Sequence, residues 1–424
     1  MVDVYDLSAA SNSTDLLRLL PPLAEIGDSV RYSYGKTERI LLNDPEEIAA
    51  VVGDPRKEFG GIGLLQRVMG EGLLVATDLA RWKPRRRVVQ RELSPRQAEK
   101  FADGVIRSTR QMIGRWGPGR QISVRDEIEA LALSNLGDAV FGGDFGQWRE
   151  LVRKTLEQTL GALDSLEAGT PDVEAEERLE HTIVELEHAI REMVGRRADQ
   201  VLEPQCVLDV LIQASKSGES LFADPFVRDE AITMMIAGYD TTAFIISVAV
   251  FLISRHPQVR DRLATEMRAA RAAGVSAERM ARELPYARMV ASEVLRLYPP
   301  IAIFHRPTFE AREVCGGWVE KGTILTASSW VTHRSPRFFK DPLVFDPERF
   351  SPERRQEIPR HSYFPFGLGQ RACAGNHFAM LTIALVIATI AADVELEFLD
   401  EEPVIAASVT LRLDNAMPAI VKAC

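Results

Sequence analysis

Residues 231–253 read AITMMIAGYDTTAFIISVAVFLI, a stretch long enough to span a bilayer and apolar on nearly every helical face. Such a segment either crosses a membrane or lies at the centre of a core large enough to cover it. Asp240 near its middle argues against the first, because an acidic residue there costs roughly 2.5 to 3.5 kcal/mol on insertion scales. Chain length permits the second: 424 residues, 46% of them apolar, can bury a long helix on all sides without covalent staples. The sequence therefore predicts a soluble protein built round a buried helix. The polar interruption in that helix, Ala237-Gly238-Tyr239-Asp240-Thr241-Thr242, needs a reason.

Helical patterns dominate from about residue 79 to 300, including the acidic stretch 166–200, which reads as a solvated helix. Before them, SVRYSYGKTERILL (29–42) alternates about a Tyr-Gly-Lys turn and predicts a hairpin. NDPEEIAAVV then opens a helix capped by Asn43 or Asp44, with Pro45 in its first turn. The glycine-rich segment 60–75 lacks GxGxxG spacing and reads as a mobile loop rather than a nucleotide site. After Pro299-Pro300 come short β-rich pieces such as GTILTASSW, a helix over about 376–392 and a closing hairpin at VTLRL. No repeat or linker interrupts this order, so residues 1–424 are expected to form a single domain, mainly α with small β-sheets (α+β).

Several function classes are disfavoured at this level. A formal net charge of −10 does not suit a general nucleic-acid surface. The one basic run, RWKPRRRVVQREL with Arg81, Lys83, Arg85, Arg86, Arg87 and Arg91, carries no recognition motif. Cys206, Cys315, Cys373 and Cys424 are scattered without CxxC spacing, which suggests neither a disulfide framework nor a zinc or iron–sulfur site and points to a reducing compartment. The first residues hold two aspartates and no continuous apolar run, so neither a signal peptide nor an anchor is expected, and a cytoplasmic location is.

Cys373 is the exception to that blandness. It lies in FPFGLGQRACAG (364–375), where Gly367, Gly369 and Gly375 permit tight turns and close approach of backbone to something flat. A helix begins directly after it, and a helix N-terminus favours thiolate over thiol. A thiolate held this way serves as nucleophile or metal ligand. The nearest base, His377, falls one helical turn away, whereas a haem ligand needs no partner base.

The fixed positions Phe366, Gly369, Arg371, Cys373 and Gly375 fit F-x-x-G-x-R-x-C-x-G, which resembles the haem-binding signature of cytochromes P450. Other segments fit the same family in order. Glu293 and Arg296 form an ExxR, with both side chains on one helical face; with Arg349 of FDPERF the resemblance implies a Glu-Arg-Arg network beneath the haem. Ala237, Gly238, Asp240 and Thr241 resemble the family's oxygen-activation motif, with the small residues letting the helix approach the haem. Asp240 and Thr241 would then deliver protons as a catalytic acid and hydroxyl pair. Trp82 and Arg86 resemble its W-x-x-x-R, and with Arg306 and Arg371 they are implied partners of the haem propionates. Pro84 interrupts that motif, and since proline suits a first turn, the helix is expected to begin near Lys83.

The resemblance covers nearly the whole chain and implies the triangular, mainly helical P450 fold. It further implies haem b with Cys373 as axial iron ligand, dioxygen as cosubstrate, and electrons from NAD(P)H through a ferredoxin and its reductase. That carrier would dock on the exposed arginines beside the thiolate side. The expected reaction is insertion of one oxygen atom into a hydrophobic small molecule of the terpenoid or polyketide class, by a monomer with no membrane span. Leu74, Val75, Ile236, Ala237, Ala302, Phe304 and Val409 are expected to line the substrate cavity. Two alternatives stay open: a net desaturation, cyclisation or coupling, and a catalytically silent haem scaffold that docks a partner.

Overall fold

The computed structural model describes residues 4–7, 10, 13–35, 37–56, 62–143, 146–167, 172–198, 203–222, 225–399 and 402–422. Cys424 lies outside them. The fold is mainly helical with small sheets, in keeping with the expected class. At its centre runs the helix Phe226–Arg255, buried along most of its length. The helices Val124–Leu136 and Asn376–Asp393 pack against it. Both the central helix and Asn376–Asp393 are long and apolar enough to cross a membrane, but 72% and 67% of their most apolar windows lie inside the protein.

The central helix joins two apolar clusters. Ala231–Ile236, Tyr239 and Ala243 belong to one, with the helices Ile62–Met69 and Val173–Ala198; Phe244–Ile253 belong to the other, with Pro285–Leu297 and Asn376–Asp393. The polar interruption falls at the seam. Its position is thus a consequence of where each cluster ends.

The largest sheet has five strands in the order 5–6, 29–34, 37–42, 324–328 and 303–307. Its hairpin Ser29–Tyr34/Thr37–Leu42 turns at Gly35, whose φ of +58° suits glycine. Val30, Tyr32 and Tyr34 alternate inward, and the Tyr32 hydroxyl meets Thr326 Oγ1 at 2.8 Å across the sheet. A three-stranded sheet, 121–123, 418–422 and 395–398, closes the chain, and Ile405–Ala407 pairs with Leu411–Leu413 as the expected hairpin. Asp44 caps the helix Pro45–Val52 by accepting from the N–H groups of Glu46 and Glu47.

Two local expectations fail. The segment expected as a loop contains the helix Ile62–Met69, because Leu64, Leu65, Val68 and Met69 form a buried stripe that outweighs the flanking glycines. The helix carrying Trp82 starts at Leu79, with the Asp78 carboxylate capping the N–H groups of Ala80 and Arg81, so Pro84 lies inside it. A strong cap upstream overrides the proline signal.

Candidate active site

The cysteine loop is shaped by backbone contact. Gly367 and Gly369 have φ of +70° and +66°, and the Cys373 N–H returns to Phe366 O at 2.8 Å. Gly369 lies against Gly53, at the end of the Pro45–Val52 helix. A Cβ on it would sit 2.6 Å from Gly53 Cα. Gly369→Ala is therefore expected to destabilise the protein by on the order of 2 kcal/mol or more, combining left-handed strain with a backbone clash. A wild-type denaturant midpoint for that variant would contradict this.

Cys373 is accessible although protein surrounds it. Burial raises its thiol pKa, while the Gly375 N–H and the charge of Arg86 favour the thiolate. A coordinated metal would supply the remaining stabilisation, because a metal-bound thiol is deprotonated outright.

Around this loop stand Trp82, Arg86, Arg306 and Arg371. Arg86 donates to Ala372 O at 2.6 Å; Arg371 donates to Pro55 O, Leu73 O and Ala76 O; Trp82 Nε1 also reaches Leu73 O, at 3.1 Å. Arg306 donates to His305 O, and its buried Nε has no partner. The hydrogen bonds described for these arginines all end on neutral oxygens, including Gln90 Oε1 for Arg86. Burial, together with the charges of Arg306 and Arg86, holds the Arg371 guanidinium down to about 10. A dianionic group fits here: the two propionates of haem would answer Arg371, the two cations that act on it and the orphaned Nε.

The basic run does not all reach the surface. Arg81, Lys83, Arg87 and Arg91 are exposed, but Arg85 is buried, donating to Leu221 O and Glu71 O with its guanidinium over the Phe226 ring. It faces inward because Trp82, Arg85 and Val89 share one helical face.

In the central helix, Thr241 Oγ1 turns back to Ala237 O at 2.8 Å, and Ala237 is accessible within an otherwise buried element. Gly238 plays a different part from the one its motif suggested. A Cβ there would meet Leu136 Cδ1 at 2.8 Å, so its smallness serves packing against the Val124–Leu136 helix rather than the haem side. The Asp240 carboxylate accepts from Thr410 Oγ1 at 2.8 Å. Burial pushes its pKa up to about 6 against that hydrogen bond and the charge of Arg412.

Thr410, on the closing hairpin, carries no motif and was invisible in the sequence. Its hydroxyl favours the charged carboxylate, so Thr410→Val is expected to move the Asp240 titration above about 6. Infrared titration against Asp240→Asn reads this directly. Because the folded value already exceeds the unfolded one, stability from protonated Asp240 is fully present below about pH 4. It is lost as pH rises through about 6 in the wild type, and through a higher value in the variant.

Glu293, Arg296 and Arg349 come together in the interior. Arg296 and Glu293 have no exposed side-chain surface and pair through two bonds of 2.7 and 2.8 Å, while Arg349 Nε lies 3.5 Å from Glu293. Among the residues expected round the substrate, Leu74 and Val409 are exposed at 38% and 39%, Ala237 is accessible, and Phe304 is half-buried near Phe364. Val75, Ile236 and Ala302 are buried within the apolar clusters, where packing accounts for them. Sequence reasoning also missed Asp229 and Glu230. These carboxylates accept from Glu71 N–H and Leu73 N–H and fasten the 70–73 segment to the central helix, with Gly72 pressed on Thr233.

Comparison with known proteins agrees with this geometry. A family model described as cytochrome P450 matches residues 23–408. The chain is 29% identical over 391 residues to cyclooctat-9-en-7-ol 5-monooxygenase and 30% identical over 404 residues to cyclooctatin synthase, both of Streptomyces melanosporofaciens. Each alignment covers 88% of this chain and 84% of the relative. A bifunctional cytochrome P450/NADPH–P450 reductase of Bacillus subtilis (strain 168) is 26% identical over 393 residues, 88% of this chain and 37% of that protein.

Proposed function

The chain belongs to the cytochrome P450 family, and we propose that it inserts one oxygen atom from dioxygen into a hydrophobic small molecule of the terpenoid or polyketide class. The observation that carries this reading is the Asp240–Thr241 pair at the seam of the two cores: a carboxyl whose pKa burial pushes up to about 6, next in sequence to a hydroxyl that turns back to the accessible Ala237. A silent scaffold has no use for such a pair.

Haem bound through Cys373 would supply the reductive activation of dioxygen, with one oxygen atom for substrate and one for water. Arg86, Arg306 and Arg371 would hold its propionates, and the Gly375 N–H would steady the sulfur. Thr241 and Asp240 hold and pass the protons that oxygen reduction consumes. Leu74, Ala237 and Val409 offer the substrate apolar surface and keep bulk water away from it. The name of one relative describes oxygenation of an unsaturated alcohol, which suits such a pocket. Electrons come from NAD(P)H through a ferredoxin and its reductase, docking in the cytoplasm on exposed Arg81, Lys83, Arg87 and Arg91. The Arg86 bond to Ala372 O joins that surface to the cysteine loop.

Haem-loaded protein, a surrogate ferredoxin pair, NADPH and a panel of alkenols and polycyclic hydrophobes under oxygen-18 gas test this. One labelled oxygen in the product is the expected result. Oxidised product without label would replace insertion by desaturation, cyclisation or coupling. NADPH consumption indifferent to every substrate would put the silent scaffold in its place.

A further inference from the structure

The central helix also borders a half-open polar cavity of about 620 Å³, bounded by the helices Val124–Leu136 and Arg149–Glu167 and by Leu411–Leu413 of the closing hairpin. Asp240 lines it, and so do Tyr239 of the same helix and Glu129 of the neighbouring one. We propose that Glu129, held in place by Tyr239, re-protonates Asp240 from the solvent of this cavity. The inference rests on the reading of Asp240 as a proton-delivery residue and names the source of its protons.

Three observations carry it. First, the cavity accommodates many waters, since each occupies about 30 Å³ of liquid. Its wall is rich in charged side chains, Arg125, Asp126, Glu150 and Arg153 among them, which keep solvent there.

Second, most charges that face the cavity are paired with one another, while Arg125 and Arg412 act on the two carboxyls. From the Arg149–Glu167 helix, Arg153 pairs with Glu150 and Glu157. Arg149 spends a donor on Asp126 O, while Arg125 pairs with Asp126 at 3.1 Å and only loosely with Glu129, at 3.9 Å. Arg412 of the hairpin acts on Asp240. Glu129 and Asp240 are the carboxyls of this cavity whose protonated form burial favours.

Third, both carboxyls are matched to the task. Burial raises the Glu129 pKa against the charge of Arg125 and the Tyr239 hydrogen bond, and the nearby Asp240 charge raises it further. Asp240 titrates at about 6. Burial and the Glu129 charge push the Tyr239 phenol far up, so it stays protonated and serves to orient Glu129. In each cycle one O–H bond breaks at Glu129 and one forms at Asp240 across cavity water. Glu129 then takes a proton from bulk solvent, and no electrons move.

The test uses haem-loaded Glu129→Gln, Tyr239→Phe and Asp240→Asn, each first shown to give the wild-type spectrum with carbon monoxide. Glu129→Gln is expected to lower product formation about tenfold and to enlarge the solvent isotope effect. Added acetate, small enough for the cavity, should restore much of the loss while leaving the wild type unchanged. Tyr239→Phe should give a smaller loss of the same kind. Independently of activity, infrared titration should show the Glu129 carboxyl band at lower pH in Asp240→Asn, because a like charge has gone. If Glu129→Gln and Tyr239→Phe behave as wild type while Asp240→Asn falls, the proposal is overturned and Asp240 keeps its role. An activity loss without acetate rescue, or a Glu129 band unmoved in Asp240→Asn, also overturns it. Wild-type turnover in Asp240→Asn would overturn the underlying reading instead.

Discussion

Cys373→His is expected to abolish the strongly red-shifted Soret band that the reduced, haem-loaded protein gives with carbon monoxide, and to bring substrate oxidation to background. Thiolate ligation pushes electron density to the iron and favours cleavage of the O–O bond, which a neutral imidazole does far less. Imidazole also leaves the local electrostatics unanswered. Arg86 and the Gly375 N–H both favour an anion at this position, and a neutral ring forfeits that interaction. The variant should still fold, because the loop is held by Gly369 on Gly53 and by the backbone bond from residue 373 to Phe366 O, neither of which needs the sulfur. The spectrum of the purified variant decides it. A retained red-shifted band would remove Cys373 as the ligand, and with it the catalytic reading.

Much of this site was legible in the sequence because its determinants are local. Glycines at fixed offsets from Cys373, and an acid three residues before an arginine, are patterns one turn long. So is a cap such as Asp44. The rest depends on distant segments. Thr410 reaches Asp240 across 170 residues, and Glu129 meets Tyr239 across another interface. No spacing rule connects them. Gly238 shows a subtler limit: its smallness was readable, but whether a gap is filled by cofactor or by Leu136 is settled only by the neighbouring helix. The Leu79 helix start was misread because the Pro84 signal was weighed above the Asp78 cap, and the basic run was read as surface without regard to periodicity. Three cationic neighbours suggested a surface, whereas the shared face with Trp82 and Val89 takes Arg85 inside.

Glu293→Gln should destabilise the protein by about 3–5 kcal/mol, because it leaves a buried guanidinium facing a neutral amide. Arg296 has no exposed surface, and besides Glu293 it donates to His333 O, Pro342 O and Val344 O. Glu293 Oε1 also accepts from Asp346 N–H at 2.9 Å, and Arg349 donates to Lys340 O and Asp341 O. The network thus fastens the 340–346 segment to the Pro285–Leu297 helix. It extends towards the cysteine as well. His333 Nδ1 lies against Arg296 O and its Nε2 accepts from Phe364 N–H, two residues before the carbonyl that receives the Cys373 N–H. Burial and the Arg296 charge hold His333 neutral, which is the state that lets one nitrogen donate and the other accept. Weakening the pair should therefore lower the denaturant midpoint and reduce the fraction of protein carrying thiolate-bound haem together. Replacing both partners by apolar residues, as in Glu293→Leu with Arg296→Met, should recover part of the loss, since no unpaired charge remains buried. A Glu293→Gln protein with wild-type midpoint and haem content would show that the carbonyls alone hold Arg296, and that the carboxylate is dispensable to the fold around Cys373.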